Sequence, residues 1–134
     1  MNIILPIDFL EIIKDRSLLL DTNFFIDAFL NPTEFGRFTN QLRKNRIDLV
    51  TLDVVRMEFL KGTPNDQKYK EKKAFFEQMV DAYLPVQKDI LDNADNLLQH
   101  YKEDGRAVSI TDLLLGLMLM RYKTNLFLLT KNST

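Results

Sequence analysis

The sequence contains no cysteine and a single histidine, His100, among its 134 residues. The lack of cysteine excludes disulfides, thiolate zinc sites and cysteine nucleophiles. With one histidine, neither a histidine-rich metal site nor a histidine-based catalytic triad is expected. A metal ion bound by this chain would therefore be held by oxygen atoms, which favours Mg²⁺ or Mn²⁺.

The chain also lacks any apolar run of the roughly 20 residues that a membrane-spanning helix needs. Its N-terminus has no basic segment and carries acidic residues early, which is not the pattern of a signal peptide. We therefore expect a cytoplasmic protein with no membrane contact. The formal net charge is only −1, so any contact with a polyanion must come from local basic patches.

Short apolar segments alternate with longer segments whose apolar residues recur at helical spacing. This alternation predicts one α/β domain over residues 1–134, with a short parallel sheet of about four strands covered by helices on both faces. Strands are expected at residues 17–20, 47–50, 84–86 and 125–129. Residues 1–16 are predicted to form an N-terminal extension that includes a short helix.

Three residues give local signals for the ends of helices. Thr51 is expected to cap a helix over residues 52–61, and Gly62 is expected to end that helix. Ser109 is expected to cap a helix over residues 110–122. This last helix is apolar on nearly every side, which predicts a central position in the fold.

Asp21 follows the first predicted strand directly and is itself followed by Thr22 and Asn23. In an open α/β sheet ligands bind outside the carboxyl ends of the strands, so Asp21 lies at the position expected for an active-site residue. The alternative interpretation is that Asp21 only caps the helix that follows.

Glu58 interrupts an apolar helical segment, on the same side as Val54 and Val55. An unpaired carboxylate on that side would be costly, so we expect Glu58 to pair with or ligate a partner. The alternatives are an ion pair with Arg56 or Lys61, or exposure at the edge of the helix.

Asp112 lies in the first turn of the last predicted helix, three residues after Ser109. The spacing resembles a capping box, and an acid in the first turn also favours the helix dipole. Because the rest of this helix is apolar, its N-terminus is expected to open into a pocket. Capping and metal binding are compatible roles for one carboxylate.

Three carboxylates in such positions suit phosphodiester hydrolysis. A carboxylate cluster holds one or two divalent ions, which activate a water molecule and stabilise charge on the departing oxygen. Without metal the acids repel one another, so metal binding is favoured. Thr22 and Asn23 are placed to orient the ligands or a bound water.

Four segments in this order resemble the PIN-domain nucleases, especially the small ribonuclease toxins of bacterial toxin–antitoxin pairs. The matching segments are residues 18–23, 57–62, 110–113 and 128–132. The resemblance implies a divalent-metal-dependent endoribonuclease, of toxin type or for RNA processing, that uses Mg²⁺ or Mn²⁺. It implies that the catalytic residues and metal ligands are Asp21, Glu58 and Asp112. The residues implied to line the site are Thr22, Asn23, Thr130 and Asn132.

The family class also implies RNA as substrate and an antitoxin protein as a partner. Basic side chains would contact RNA phosphates, which position the strand without reading its sequence. The candidate RNA-binding residues are Arg43, Lys44 and Arg46 in one cluster, and Lys68, Lys70, Lys72 and Lys73 in another. The alternative for each cluster is a solvated helix face.

One departure from the family pattern concerns its last acid, which would fall just beyond Thr134. A PIN-like fold without that acid is the alternative hypothesis, a catalytically incomplete RNA-binding or protein-interaction module. A homodimer is also expected, because five phenylalanines in one short region exceed what its own core needs, although packing in the core would explain them too. These residues are Phe24, Phe25, Phe29, Phe35 and Phe38.

A different enzyme class is phosphoryl transfer through a nucleophilic aspartate, in a site similar to that of the haloacid dehalogenases. A strand that ends in Asp21-Thr22 fits this class. The class needs a second aspartate two positions further on, and this chain has Asn23 there. We therefore expect the nuclease rather than the phosphotransferase.

Overall fold

The structure is a computed structural model that describes residues 16–105, 108–123 and 125–129. The predicted N-terminal extension, apart from Arg16, and the predicted site residues Thr130 and Asn132 lie outside this part of the chain. The described elements are, in chain order, β1 (Ser17–Leu20), α1 (Thr22–Leu30), α2 (Pro32–Lys44), β2 (Asp48–Thr51), α3 (Asp53–Leu60), α4 (Asp66–Met79), β3 (Ala82–Tyr83), α5 (Lys88–Glu103), α6 (Ile110–Arg121) and β4 (Leu126–Leu129).

The four strands form one parallel sheet in the order β3-β2-β1-β4, flanked by the helices. Strand β1 is central, and Leu19 pairs with Val50 on one side and Leu128 on the other. All three leucines of β1 are buried, as expected for a parallel strand covered on both faces. The predicted α/β fold is therefore confirmed. No helix in the described part of the chain is long and apolar enough to cross a membrane.

The third strand lies earlier than the predicted residues 84–86. The backbone N–H of Asp81 donates to the carbonyl of Leu49, at 2.7 Å, and so starts the pairing with β2 before Ala82. Pro85 has no N–H to donate, so it cannot continue a strand ladder. The strand therefore ends at Tyr83.

Thr51 is part of β2 and not the predicted helix cap. It pairs with Tyr83 of β3, and its hydroxyl donates to the carbonyl of Leu20 at 2.8 Å. The residue at the N-cap of α3 is Leu52, which makes no side-chain capping bond. Thr51 thus joins β2 to the end of β1, directly before Asp21.

The core contains a cluster of phenylalanine rings. Four of the five phenylalanines considered for a dimer surface are buried within it, and Phe29 is partly buried against it. The central pair is Phe25 and Phe76, whose ring centroids are 4.1 Å apart. Core packing therefore accounts for these aromatic residues.

Helix α6 has one buried side rather than the predicted central position. Leu114, Leu115 and Met118 are buried, whereas Ile110 and Met120 are exposed, Met120 to 72%. The helix is apolar on nearly every side because its outer face carries apolar residues too. That face stays open within the described part of the chain.

Candidate active site

Asp21 lies at the carboxyl end of the central strand and is only 8% exposed. Its Oδ1 accepts a hydrogen bond from the backbone N–H of Phe24 at 2.9 Å, so the residue caps α1. The cap itself is thus confirmed, and it is compatible with a role in chemistry, because capping engages only one carboxylate oxygen.

Burial raises the pKa of Asp21 above its ordinary value of 3.8. The Phe24 N–H opposes this shift by stabilising the carboxylate, while the negative charge of Asp112 raises the pKa further and that of Asp27 adds to it. Asp21 and Asp112 are therefore close enough to repel each other. This repulsion favours a cation at the carboxyl edge of the sheet.

Asp112 is held at the N-terminus of α6 by a cap that matches the prediction. The Ser109 hydroxyl accepts a hydrogen bond from the Asp112 N–H at 3.3 Å. The Asp112 residue is exposed to solvent. Its position brings the start of α6 towards Asp21, although the two residues are far apart in sequence.

Glu58 is exposed on α3, and its Oε2 accepts a hydrogen bond from the hydroxyl of Thr111. Thr111 precedes Asp112, so this bond links Glu58 to the start of α6. Arg56, one of the ion-pair partners considered from the sequence, instead pairs with Glu77 at 3.8 Å. The link between Glu58 and α6 places the second candidate acid beside the third.

Thr22 is buried next to Asp21, and its hydroxyl makes no hydrogen bond within the described part of the chain. Buried hydroxyl groups are usually bonded, so the partner of this one lies outside the described protein groups. Asn23 follows on the first turn of α1 and is exposed. Both residues adjoin Asp21, as the sequence requires.

The donor atoms at this edge suit a hard divalent cation, because they are carboxylate and hydroxyl oxygens. Among the described residues, however, no three histidine or acidic side chains stand together closely enough to hold a metal ion. A cation held by Asp21, Glu58 and Asp112 would therefore require these side chains to move closer together. The site thus fits a metal by donor chemistry and by the Asp21–Asp112 repulsion, without a closed cluster.

The lysines predicted to contact RNA on α4 are linked to this site. Lys72 Nζ donates to the carbonyl of Phe59, the residue after Glu58, at 3.3 Å. Lys72 also lies over the Phe59 ring, and Lys68 lies 5.1 Å from the centroid of the Phe29 ring. Lys70 is exposed and Lys73 is half-buried. Lys68 and Lys72, one helical turn apart, therefore place positive charge on the side of α4 that contacts α1 and α3.

The second basic cluster lies at the opposite edge of the sheet. Arg43, Lys44 and Arg46 directly precede β2, so they lie near the amino ends of the strands. Asp21 lies at the carboxyl ends, about 10 Å away along a strand of four residues. The structure does not bring this cluster to the candidate acids.

The Arg43 side chain has structural partners at that edge. Its Nη2 donates to the carbonyls of Gln78 and Met79, at 3.2 and 3.1 Å, and pairs with Asp81 at 3.2 Å. Asp81 in turn accepts from the Leu49 N–H at 2.8 Å. Arg43 thus joins α2 to the end of α4 and to the start of β2.

We expect Arg43→Ala to destabilise the fold by about 1–2 kcal/mol, because it leaves two helix-terminal carbonyls and Asp81 without the guanidinium. The loss is small because the Arg43–Asp81 ion pair is partly exposed to solvent. The neighbouring Lys44→Ala is the matched control, since Lys44 is exposed. Urea unfolding of both variants measures the difference. Equal stability of the two variants would contradict a structural role for Arg43.

Thr111 is the residue at this site that sequence reasoning did not single out. It stands between Ile110 and Asp112 in a matched segment, but a threonine at the start of a helix has many ordinary explanations. The sequence feature that could have identified Thr111 is its position, as a hydroxyl residue, directly before a candidate ligand. Its partner, Glu58, lies 53 residues away, and only the tertiary structure brings the two together.

Comparison with known proteins gives a family and a fold. A family model described as PIN domain matches residues 18–132, and no curated protein matches the sequence. The crystal structure of VapBC2 from Rickettsia felis bound to a promoter DNA fragment has 16% identity and a TM-score of 0.59, covering 85% of this chain and 98% of that chain. DNA-bound VapBC from Salmonella typhimurium has 18% identity and a TM-score of 0.62, covering 87% of each chain. At such identities the likeness concerns the fold alone.

Proposed function

The chain belongs to the PIN domain family, whose members are generally nucleases, and we propose that it is a divalent-metal-dependent endoribonuclease that hydrolyses RNA phosphodiester bonds. The observation that carries this proposal is the burial of Asp21 at the carboxyl end of the central strand, where burial and the charge of Asp112 raise its pKa. The hydrogen bond from Thr111, the residue before Asp112, to Glu58 supports including Glu58 as the third acid.

In this proposal Asp21, Glu58 and Asp112 hold Mg²⁺ or Mn²⁺. When bound, the ion would supply an activated water and neutralise charge on the departing oxygen. The residues of the chain position the other components of the reaction. Thr22 contributes a buried hydroxyl beside Asp21 that makes no hydrogen bond among the described residues, and Asn23 adds an exposed amide. Residues 130 and 132 are proposed to line the same site.

The lysines of α4 are the proposed RNA contacts, because Lys72 adjoins the residue after Glu58. Positive charge there would hold the RNA phosphates next to the acids, and the affinity would fall as the salt concentration rises. The basic cluster near the amino ends of the strands, which includes Arg43, is a less favoured candidate for RNA contact. Its members remain candidates only for a longer RNA that wraps the domain.

An antitoxin protein is the proposed macromolecular partner, supported by the resemblance to toxins of toxin–antitoxin pairs and by the fold likeness to VapBC structures. A homodimer is proposed as well. The exposed apolar residues Ile110 and Met120 on the outer face of α6 support an interface of this kind. Both RNA and an antitoxin would be met in the cytoplasm, which is the proposed location.

Titration with Mn²⁺ in a calorimeter tests the proposed site. We expect the parent chain to bind Mn²⁺ and Asp112→Asn to bind it at least about tenfold more weakly, because the substitution removes a charged oxygen ligand. Asp95→Asn is the matched control, since Asp95 is an exposed acid on α5 and is not among the candidate ligands, and it should bind like the parent. Cleavage of a mixed-sequence RNA should then require Mn²⁺ and stop on addition of EDTA.

The alternative is a catalytically incomplete RNA-binding or protein-interaction module. The lack of a closed group of three acids among the described residues favours it. Such a module has no reason to bind Mn²⁺ at this edge. A parent chain that shows no Mn²⁺ binding, yet binds RNA with the expected salt dependence, would support the module and contradict the nuclease.

A further inference from the structure

Thr111 is buried at the start of α6, only 5% exposed, between two exposed neighbours. Its side chain therefore points inward at a position where the helix has just begun. A buried hydroxyl needs a hydrogen-bond partner, because it has lost its contact with water. The partner is a carboxylate from a different helix, Glu58 of α3.

In contrast to the buried Thr111, Glu58 is exposed to solvent. An exposed glutamate ordinarily samples many rotamers, and ordering it opposes binding through lost side-chain entropy. A hydrogen bond from a rigidly buried donor to a charged oxygen is strong enough to select one orientation. Because Thr111 engages only Oε2, the other carboxylate oxygen of Glu58 is left for a ligand.

The nature of the donor matters for a cation site. A lysine or arginine bonded to Glu58 would orient it equally well, but its positive charge would repel a metal ion. Thr111 is neutral and orients the carboxylate without that repulsion. Arg56, the nearest candidate on α3, is instead paired with Glu77.

We propose that Thr111 is a positioning residue that fixes the Glu58 carboxylate beside Asp112, so that both are ready for one divalent cation. This inference rests on the proposed function and deepens it. It assigns to the residue before Asp112 the task of joining α3 to α6 at the site. Without the hydroxyl, Glu58 would have to be ordered by the cation itself.

The test compares Thr111→Val with Thr111→Ser. Valine has nearly the shape of threonine but no hydroxyl, whereas serine keeps the hydroxyl. We expect Thr111→Val to weaken Mn²⁺ binding by about 10- to 100-fold, the usual effect of losing a residue that orients a metal ligand. Thr111→Ser should stay within about threefold of the parent, since the orienting bond remains. In RNA cleavage at fixed Mn²⁺, kcat should fall in the valine variant while KM for RNA is unchanged.

Thr39→Val is the matched control, because Thr39 is also buried but its hydroxyl donates to the carbonyl of Gly36 within α2. It should lose stability without losing Mn²⁺ affinity. Should Thr111→Val fold poorly, the serine variant and the Mn²⁺ affinity of the folded fraction at low temperature still decide the question. If the parent binds Mn²⁺ and Thr111→Val binds it with equal affinity, the positioning role of Thr111 is overturned while the proposed function is not. A parent that binds no Mn²⁺ would overturn the proposed function and this inference with it.

Discussion

Asp21→Asn should abolish metal-dependent RNA cleavage, with a loss on the order of a hundredfold or more, and at the same time make the protein more stable. The loss of cleavage follows because the amide cannot supply a charged ligand to the cation, and removal even of a group that only orients a ligand costs about 10- to 100-fold. The gain in stability follows from the burial of Asp21 and from its repulsion by Asp112.

The sign of the stability effect can be worked out from the pKa of Asp21. This pKa is raised above 3.8 in the folded protein, so the folded state binds a proton more tightly than the unfolded chain does. The residue therefore destabilises the fold increasingly as the pH rises through its folded pKa. Asparagine removes the charge but still caps α1, since it accepts from the Phe24 N–H as well as aspartate does.

Thermal unfolding of the metal-free proteins measures this effect. The melting temperature of Asp21→Asn should exceed that of the parent at pH 7, and the difference should shrink as the pH is lowered through the pKa of Asp21. Asp21→Ala separates the two roles, because it also removes the charge but loses the cap, which costs about 0.5–2 kcal/mol. An asparagine variant that cleaves RNA like the parent would contradict the assignment of Asp21 to the active site.

Phe76→Ala should cost about 3–5 kcal/mol of unfolding free energy and lower the melting temperature by about 10–20 °C. Phe76 has no exposed surface, and its ring lies against Phe25 at 4.1 Å, Phe59 at 5.6 Å and Tyr83 at 6.3 Å between centroids. Truncation would leave a cavity that these rings cannot fill without moving the helices and the strand that carry them. A single domain with the usual stability of about 5–15 kcal/mol would lose a large part of it.

Leu30→Ala is the control for this substitution, because Leu30 is apolar but 71% exposed at the end of α1. Its effect should stay within about 0.5 kcal/mol, as for most surface substitutions. Urea unfolding of both variants gives the comparison. Similar losses in the two variants would mean that the phenylalanine cluster is not the centre of the core.

Local signals in the sequence predicted the elements well where one residue type determines the structure. Ser109 caps α6, Asp21 caps α1, and Gly62 follows the end of α3 with a φ of 72°, a conformation that glycine adopts without strain. The apolar runs identified β1 and β4, because strands of a parallel sheet are buried on both faces.

The same signals failed where a hydrogen bond to a distant strand competed with a local one. Thr51 has the chemistry of a helix cap, but its hydroxyl bonds to Leu20 and its backbone pairs with β3. The third strand shifted towards Ala82 because Asp81 begins the pairing with Leu49. Neither partner can be read from the neighbouring sequence.

By itself the sequence determined the α/β class, the oxygen-only chemistry of any metal site and the three acids that merit a test. Composition and short apolar runs suffice for these, since they depend on residue type and local spacing. Only the tertiary structure decided that Asp112 raises the pKa of Asp21, that Thr111 holds Glu58, and that Arg43 serves the amino edge instead of the acids. Each of these joins residues far apart in the chain, and the packing of helices on the sheet sets which distant side chains meet.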